Sequence, residues 1–344
     1  MPIFPAKYLI DVGIRVFEAA GVPEDESKLI ADLLVRANMV GQDSHGVIRI
    51  IQYVDAIQKG KVKPGAQIEV VRETPSTALI NGNWGFGQVV AKKSMEIAIQ
   101  KAKENGISTV CAFNLYHIGR LADYTEMASK YNMIGVAMVN STRMVAPHGG
   151  RERVLSTAPL SYAFPTGSGM PLILDMSTSA CAEGKIRIAL HKGEKLPLGY
   201  IIDGEGNLST NPEDLYRGGA ILPMGGEIAG HKGFGLAIVV EILAGILSGA
   251  GCAYENEKFG NGVFFQAINI SNFMQPEEFK RRVDGLIKAV KSSKLRPGYS
   301  EILIPGELEY RMLEKRSKEG IYVPERTWKE IQAIAERVGI NLLD

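Results

Sequence analysis

Residues 107–139 read ISTVCAFNLYHIGRLADYTEMASKYNMIGVAMV, and the spacing of the apolar residues changes twice along this stretch. A compact apolar run at 107–113 is typical of a buried strand, 122–131 has helical spacing, and 134–139 is a second strand-like run. Strands that interleave with helices exclude an all-β protein. The stretch therefore predicts an α/β class of fold, of the mixed α+β kind.

The same alternation extends to both sides of this stretch. The first 60 residues have helical spacing, with Gly60 placed to end a helix that starts near His45. The other predicted elements are, in chain order, a short β segment at 74–87, a helix at 88–104, strands at 160–164 and 172–175, a helix at 180–192, a strand at 263–270 and three amphipathic helices from Pro276 to the end.

Composition and charge narrow the class of protein. The 344 residues carry a net charge of +1, which gives no electrostatic reason to expect nucleic acid or an anionic membrane as a partner. Three scattered cysteines and an N-terminus without an export signal predict a reducing, cytoplasmic location. The five histidines lack the spacing of metal ligands, so we expect no metal.

The apolar stretch 233–250 contains Glu241, and we expect a helix buried in the core rather than a membrane span.

Candidate chemistry is concentrated in the segment that begins Asp43-Ser44-His45. In a helix that starts at Ser44, His45, Arg49 and Tyr53 lie at i, i+4 and i+8, on one face. An arginine can hold a carboxylate through two hydrogen bonds, and a histidine can move a hydroxyl proton near neutral pH. The segment would therefore suit an alcohol that bears a carboxylate. The alternative is that Ser44 only caps a helix whose other residues lie at the surface.

His117 follows a predicted strand and precedes a predicted helix, a position where α/β proteins often place residues that contact ligands. A loop histidine without a role remains the alternative. Phosphate could be held at 175–179, where a strand ends and a helix is expected to begin, or beside Lys232 in a glycine-rich segment. Ordinary turn and capping chemistry would explain both segments equally well. No complete G-x-G-x-x-G motif is present, which disfavours a Rossmann domain.

Seven segments, taken together and in this order, make the chain resemble the type 2 malate/L-lactate dehydrogenase family, whose members include sulfolactate and ureidoglycolate dehydrogenases. The segments are DSHGVIR, NLYHIGR, VAPHGG, LILDMSTS, GKIR, GHKGFGLAIVVEILAGILSGA and IPGE. The family differs from this chain at His148, where tryptophan or phenylalanine is common, and at Ala158-Pro159, where Asn-Pro is frequent. These departures leave the substrate specificity open.

The resemblance implies a non-Rossmann nicotinamide-binding fold and a homodimer. It divides the chain into a helical part at 1–75 that carries the Ser-His-Arg segment, a cofactor-binding α/β domain at 76–270, and a helical part at 271–344 that packs with the first. It assigns catalysis to His117, His45 and Ser44, and substrate binding to Arg49 and Tyr53. The implied contacts to NAD or NADP, with NAD preferred, are Ser141, Asp175, Met176, Ser177, Lys232, Pro305, Gly306 and Glu307.

The function that follows from the resemblance is the transfer of hydride between NAD(P) and a small 2-hydroxy or 2-oxo carboxylate of the malate or lactate type. One alternative is a reductase that uses the same site for a cyclic imine acid or for a diketo acid derived from a sugar. A second alternative is a binding protein that keeps the fold and the cofactor but has no turnover.

Overall fold

The computed structural model describes residues 2–255 and 260–342. The helices within these ranges are α1 Ala6–Ala19, α2 Glu24–Met39, α3 Arg49–Gln58, α4 Gly87–Asn105, α5 Ala122–Ser129, α6 Glu183–Lys192, α7 Pro212–Tyr216, α8 Gly226–Val240, α9 Pro276–Lys291, α10 Glu307–Glu319 and α11 Glu325–Arg337. The strands are β1 Ile3–Phe4, β2 Glu69–Glu73, β3 Thr77–Gly85, β4 Ile107–Leu115, β5 Met133–Asn140, β6 Leu160–Phe164, β7 Leu172–Met176, β8 Ile201–Ile202, β9 Leu208–Ser209, β10 Ala220–Ile221, β11 Asn261–Asn269 and β12 Ile321–Tyr322.

A seven-stranded sheet in the order β2-β3-β4-β11-β5-β6-β7 forms the centre of the molecule. The β3–β4 pair is parallel and the other pairs are antiparallel. The late strand β11 lies between β4 and β5, where Phe265 faces Val110 on one side and Ala137 on the other. The sequence prediction of a mixed α/β fold without a Rossmann domain is confirmed, because a Rossmann sheet is mostly parallel.

Helices cover both faces of the sheet. On one face, α4 and α5 pack on buried residues of β3, β4, β5 and β11, Phe265 among them. On the other face, α8 contributes Ala237 and Val240 to a second core. A third core joins α1, α2 and α3 to residues of α11, and β1 pairs with β12. The division of the chain into parts at residues 75 and 270 stays a prediction.

Most predicted elements lie where the periodicity placed them, but the helix predicted from residue 45 was wrong at its start. Asp43–His45 form a single 3₁₀ turn, Gly46 is extended (φ −85°, ψ −155°), and α3 begins only at Arg49. The reason is the side chain of Asn38. It fills the space beside Gly46, where a Cβ would lie 2.2 Å from Asn38 Oδ1, and that oxygen accepts the Val47 N–H at 2.8 Å.

The apolar helix at 226–246 also differs from the prediction of a buried core helix. It is long and apolar enough to cross a membrane by length and composition, and it passes from α8 into a π-helical turn, Glu241–Ile246. One side packs on the sheet through small residues and through Glu241, which is buried. The other side exposes large apolar side chains: Ile228, Leu236, Ile238, Val239, Ile242, Ile246 and Leu247.

Candidate active site

Two histidine rings from distant parts of the chain stack on each other. His45 ends the 3₁₀ turn after α2, and His117 follows the end of β4. Their ring centroids lie 5.5 Å apart, with 22° between the planes. No group of three or more His, Cys, Asp or Glu side chains in the described ranges is placed to hold a metal ion. An imidazole pair of this kind can accept and donate protons near neutral pH.

Each imidazole is held through its Nδ1 atom. Ser44 Oγ lies 3.1 Å from His45 Nδ1, and Tyr53 Oη lies 2.8 Å from His117 Nδ1. Tyr53 is fully buried on α3, and Gln88 Nε2 donates to its hydroxyl at 2.6 Å. Since both Nδ1 atoms are engaged, Nε2 is the ring nitrogen that remains available for a ligand.

Both histidines are neutral at physiological pH. Loss of contact with water lowers the pKa of His45 to about 3, and the charges of Arg49 and Arg120 act in the same direction. The pKa of His117 also lies well below its ordinary value, because of burial first, then Arg49 and then His45. A neutral imidazole can accept a proton, so each ring can serve as a general base.

Arg49 lies beside the histidines on the first turn of α3. Its Nε donates to Ser44 O at 2.7 Å, and its Nη1 donates to Gln52 Oε1. In the described part of the chain no carboxylate lies within ion-pair distance of this guanidinium. Burial lowers its pKa, which reflects the cost of a buried charge without a partner. The site therefore lacks one negative charge, which a bound carboxylate would supply.

The turn that carries Ser44 and His45 is fixed by the C-terminal helix α10. Arg316 of α10 donates to Asp43 Oδ1 at 2.6 Å and to Asp43 Oδ2 at 3.0 Å, and it also donates to Asn38 O. Asn38 Nδ2 donates to Asp43 Oδ1 at 2.6 Å. On the other side, α6 packs so closely that a Cβ on Gly184 would lie 2.8 Å from Ser44 Cβ.

A cavity of about 360 Å³ lies between β7, the end of α2 and the start of α10. Its wall includes Asp175, Pro305 and Gly306, three of the predicted cofactor contacts. Asp175 accepts the Ala122 N–H at 2.8 Å, and burial raises the pKa of its carboxyl to about 6. Arg120 also lines the wall, is only 6% exposed, and has no described partner for Nε or Nη1. The charge of Arg120 also contributes to the lowered pKa of His45, although neither His45 nor His117 lines this cavity.

The structure brings together some of the predicted site residues and not others. Ser44, His45, Arg49, Tyr53 and His117 meet in one cluster. Met176, Ser177 and Glu307 adjoin the cavity residues in sequence, whereas Ser141 and Lys232 are not among the residues that line it.

Sequence reasoning missed four residues that the structure places in or around the site. Arg120 and Gln88 could have been noticed, since Arg120 ends the same motif as His117 and Gln88 opens the helix after Gly85-Phe86-Gly87. Asn38 and Arg316 gave no local signal in the sequence. Asn38 acts on a segment outside its own helix, and Arg316 acts on a segment that is distant in the sequence.

Known proteins resemble this chain over almost its whole length. The model of a family described as malate/L-lactate dehydrogenase matches residues 4–332. A malate dehydrogenase of Pyrococcus horikoshii is 43% identical over 98% of this chain and 96% of its own length. An L-sulfolactate dehydrogenase of Methanocaldococcus jannaschii is 41% identical over 96% of each chain. The solved structure of the Pyrococcus horikoshii malate dehydrogenase superposes with a TM-score of 0.92 at 40% identity and covers 99% of this chain and 96% of that one.

Removal of the clamp between α10 and the Asp43 turn is expected to destabilise the protein. In Arg316→Met, the half-buried Asp43 carboxylate and Asn38 O lose their guanidinium, at a cost of about 1–3 kcal/mol in the free energy of unfolding. Arg337→Met, which removes an exposed ion pair with Asp55, is the matched control and should cost roughly 0.5 kcal/mol or less. Denaturant unfolding measures both variants, and equal losses would contradict the clamp.

Proposed function

Because the chain belongs to the malate/L-lactate dehydrogenase family, it is an oxidoreductase of 2-hydroxy acids, and we propose that it passes hydride between a nicotinamide dinucleotide and a small 2-hydroxy or 2-oxo carboxylate. Malate and oxaloacetate are the first candidates for the substrate pair. The observation that carries this proposal is Arg49, a half-buried guanidinium without a carboxylate partner in the described chain, beside two neutral histidines.

We propose that this cavity holds one half of a nicotinamide dinucleotide. Arg120 on its wall is a buried cation, and its charge would attract a phosphate. Gly306 has a positive φ of +89°, and a Cβ there would lie 3.2 Å from Ile173 O, so the start of α10 packs closely against β7. The apolar residues Ile173, Leu303 and Leu308 offer a surface for a flat ring. When bound, the nicotinamide would accept or supply the hydride of the reaction.

We propose NAD rather than NADP as the preferred cofactor. The carboxylates of Glu126, Asp175 and Glu309 line the cavity, and Glu126 is already paired with Arg36. Arg120 is the cation there that has unpartnered N–H groups. One cation suits the pyrophosphate that both cofactors share, and the carboxylates would repel the additional phosphate of NADP.

Arg49 binds and orients the substrate in this proposal. Its guanidinium is held by Ser44 O and Gln52, so its remaining N–H groups face a fixed direction. A substrate carboxylate there would restore charge neutrality and would place the carbinol carbon beside the imidazoles. Such positioning contributes a large part of the rate in reactions of this kind.

His117 holds the proton of the substrate hydroxyl group in this proposal. Its Nδ1 is bonded to Tyr53, which leaves Nε2 to accept the hydroxyl proton in oxidation and to return it in reduction. His45, bonded to Ser44, is the second candidate for the same step. The stacked arrangement keeps His45 within reach, and its low pKa keeps it from adding a positive charge beside His117.

The alternatives receive less support. Relatives at 30% identity or more are named for malate, sulfolactate, hydroxycarboxylate or lactate, which does not favour a cyclic imine or a diketo acid derived from a sugar as the substrate. A binding protein without turnover would not need two neutral imidazoles beside a buried arginine.

We also propose that the chain forms a homodimer through α8 and the π-helical turn after it. Contiguous exposed apolar surface of this extent is uncommon on a monomer, and a second copy would cover it. A partner would also give a role to Lys232, which lies on α8 and does not line the cavity of its own chain. A cytoplasmic location is proposed from the three free cysteines.

The function is tested by the loss of reduced-nicotinamide absorbance. We expect NADH to be oxidised with oxaloacetate or pyruvate faster than NADPH, on a panel that also holds sulfopyruvate, a diketo sugar acid and a cyclic imine acid. His117→Ala should lower kcat by about 10²–10⁴-fold while cofactor binding persists. Absence of turnover with every acid and both cofactors, from folded protein, would instead support a binding role.

Arg49→Gln is expected to change the pH dependence of alcohol oxidation. Burial, the larger cause, still holds the pKa of His117 below its ordinary value, but loss of the Arg49 charge raises it. The base must be unprotonated, so kcat/KM for oxidation falls as the pH is lowered through the pKa of His117. This fall should begin at a higher pH in the variant than in the parent. Arg326→Gln, at the surface, is the control. An acidic limb that stays in place or moves to lower pH contradicts the electrostatic link.

Ile242→Glu is expected to convert a dimer into monomers. Ile242 is 47% exposed on the apolar side of the helix, and a carboxylate buried between two copies would be costly. Light scattering should give twice the chain mass for the parent and for Val70→Glu, a substitution at a residue exposed to 43% on the edge strand β2. The interface on α8 is wrong if Ile242→Glu keeps the parent's mass.

A further inference from the structure

Gln88 is a buried residue behind the active site, and the oxygen of its side-chain amide has no hydrogen-bond partner among the described residues. It lies in the first turn of α4, is 1% exposed, and donates from Nε2 to Tyr53 Oη at 2.6 Å. Within the described residues, Oε1 makes no hydrogen bond. A buried acceptor without a partner is costly, so this orientation of the amide is not favoured by its own hydrogen bonds.

The orientation of the Gln88 amide determines which way the Tyr53 proton points. The Tyr53 hydroxyl lies between Gln88 and His117, and it has one proton to donate. When Gln88 donates to the phenolic oxygen, the Tyr53 proton is left for His117 Nδ1. A neutral imidazole that accepts at Nδ1 carries its proton on Nε2. In this state His117 presents an N–H to the substrate.

Rotation of the amide by 180° reverses every hydrogen bond of this chain of three side chains. Oε1 then accepts from Tyr53, the phenolic oxygen accepts from His117 Nδ1–H, and Nε2 of His117 has a free lone pair. The number of hydrogen bonds is the same in both states, because Oε1 gains the bond that Nε2 gives up. The two states differ in whether His117 offers a donor or an acceptor.

We propose that Gln88 is a positioning residue that, through Tyr53, sets which nitrogen of His117 carries the proton. The inference rests on the proposed function, in which the hydroxyl proton must find a lone pair on Nε2 and a carbonyl oxygen must find an N–H there. Gln88 does not touch the substrate in this scheme. It sets whether the neutral imidazole presents a lone pair or an N–H at Nε2. Once His117 has accepted the hydroxyl proton, both ring nitrogens carry protons and the ring is a cation, which returns this proton in reduction.

Two substitutions should drive the tautomer of His117 in opposite directions. In Gln88→Met, Tyr53 donates its proton to His117 Nδ1, so the proton of His117 lies on Nε2. In Gln88→Glu the carboxylate accepts from Tyr53, so Nδ1 is protonated. Nitrogen NMR of chain labelled in its histidine rings distinguishes a protonated from an unprotonated ring nitrogen, at a pH well above the depressed pKa of His117. The parent should lie between the two variants.

Controls separate this role from a merely structural one. Gln100→Met is the same substitution at an exposed position of α4 and should leave the His117 signals in place. The His45 signals serve as an internal reference, since His45 is bonded to Ser44 instead. In a Tyr53→Phe background the link is cut, and the difference between Gln88→Glu and Gln88→Met should vanish. The spectra need no turnover, so they remain informative even if the proposed function fails.

Kinetics give a second measurement. Both substitutions at Gln88 should lower kcat/KM roughly 10- to 100-fold, and by the same factor in oxidation and reduction, because an enzyme leaves the overall equilibrium unchanged. The proposal is overturned if Gln88→Met and Gln88→Glu give the same His117 tautomer, or if their difference survives in Tyr53→Phe. A normal kcat/KM in both variants would equally overturn it.

Discussion

The guanidinium of Arg49 lies half-buried beside two histidines, and no carboxylate of the described chain lies within ion-pair distance of it. A cation that is partly removed from water makes it more costly for a nearby imidazole to become positively charged. The pKa values of His45 and His117 are therefore depressed, first by burial and then by Arg49. The site holds proton acceptors that stay neutral and a cation that lacks a counter-ion. A small acid that carries both a carboxylate and a hydroxyl group supplies what each of them lacks.

The backbone around this charge is arranged to keep it fixed. Arg49 can donate to Ser44 O because the chain turns sharply between them, and the turn depends on Gly46 lying against Asn38. Arg316 then ties Asp43 to α10, the helix whose first residues line the neighbouring cavity. The histidine pair and the cavity are thus held by one connected set of elements.

The sequence predicted the elements well and the site only in part, for physical reasons that differ between residues. Strands such as 160–164 were found because apolar periodicity is a local property of the chain. The helix predicted from His45 was wrong because Asn38, on another helix, takes the space and the N–H that a continued helix would need. His45 and Tyr53 nevertheless both contact His117, although not along one helix face. Gln88 and Arg120 were missed because their importance lies in unpartnered atoms, which only a three-dimensional arrangement can reveal.

The same electrostatic balance must change when an anionic substrate enters. A carboxylate on Arg49 cancels the charge that helps to depress the pKa of His117, while burial continues to depress it. In the proposed function, His117 would then be a stronger base at the moment when the hydroxyl proton is beside it. An arginine with a permanent carboxylate partner would raise the pKa of His117 in the empty site as well. The lack of a counter-ion for Arg49 in the described chain would thus couple the basicity of His117 to the presence of the substrate.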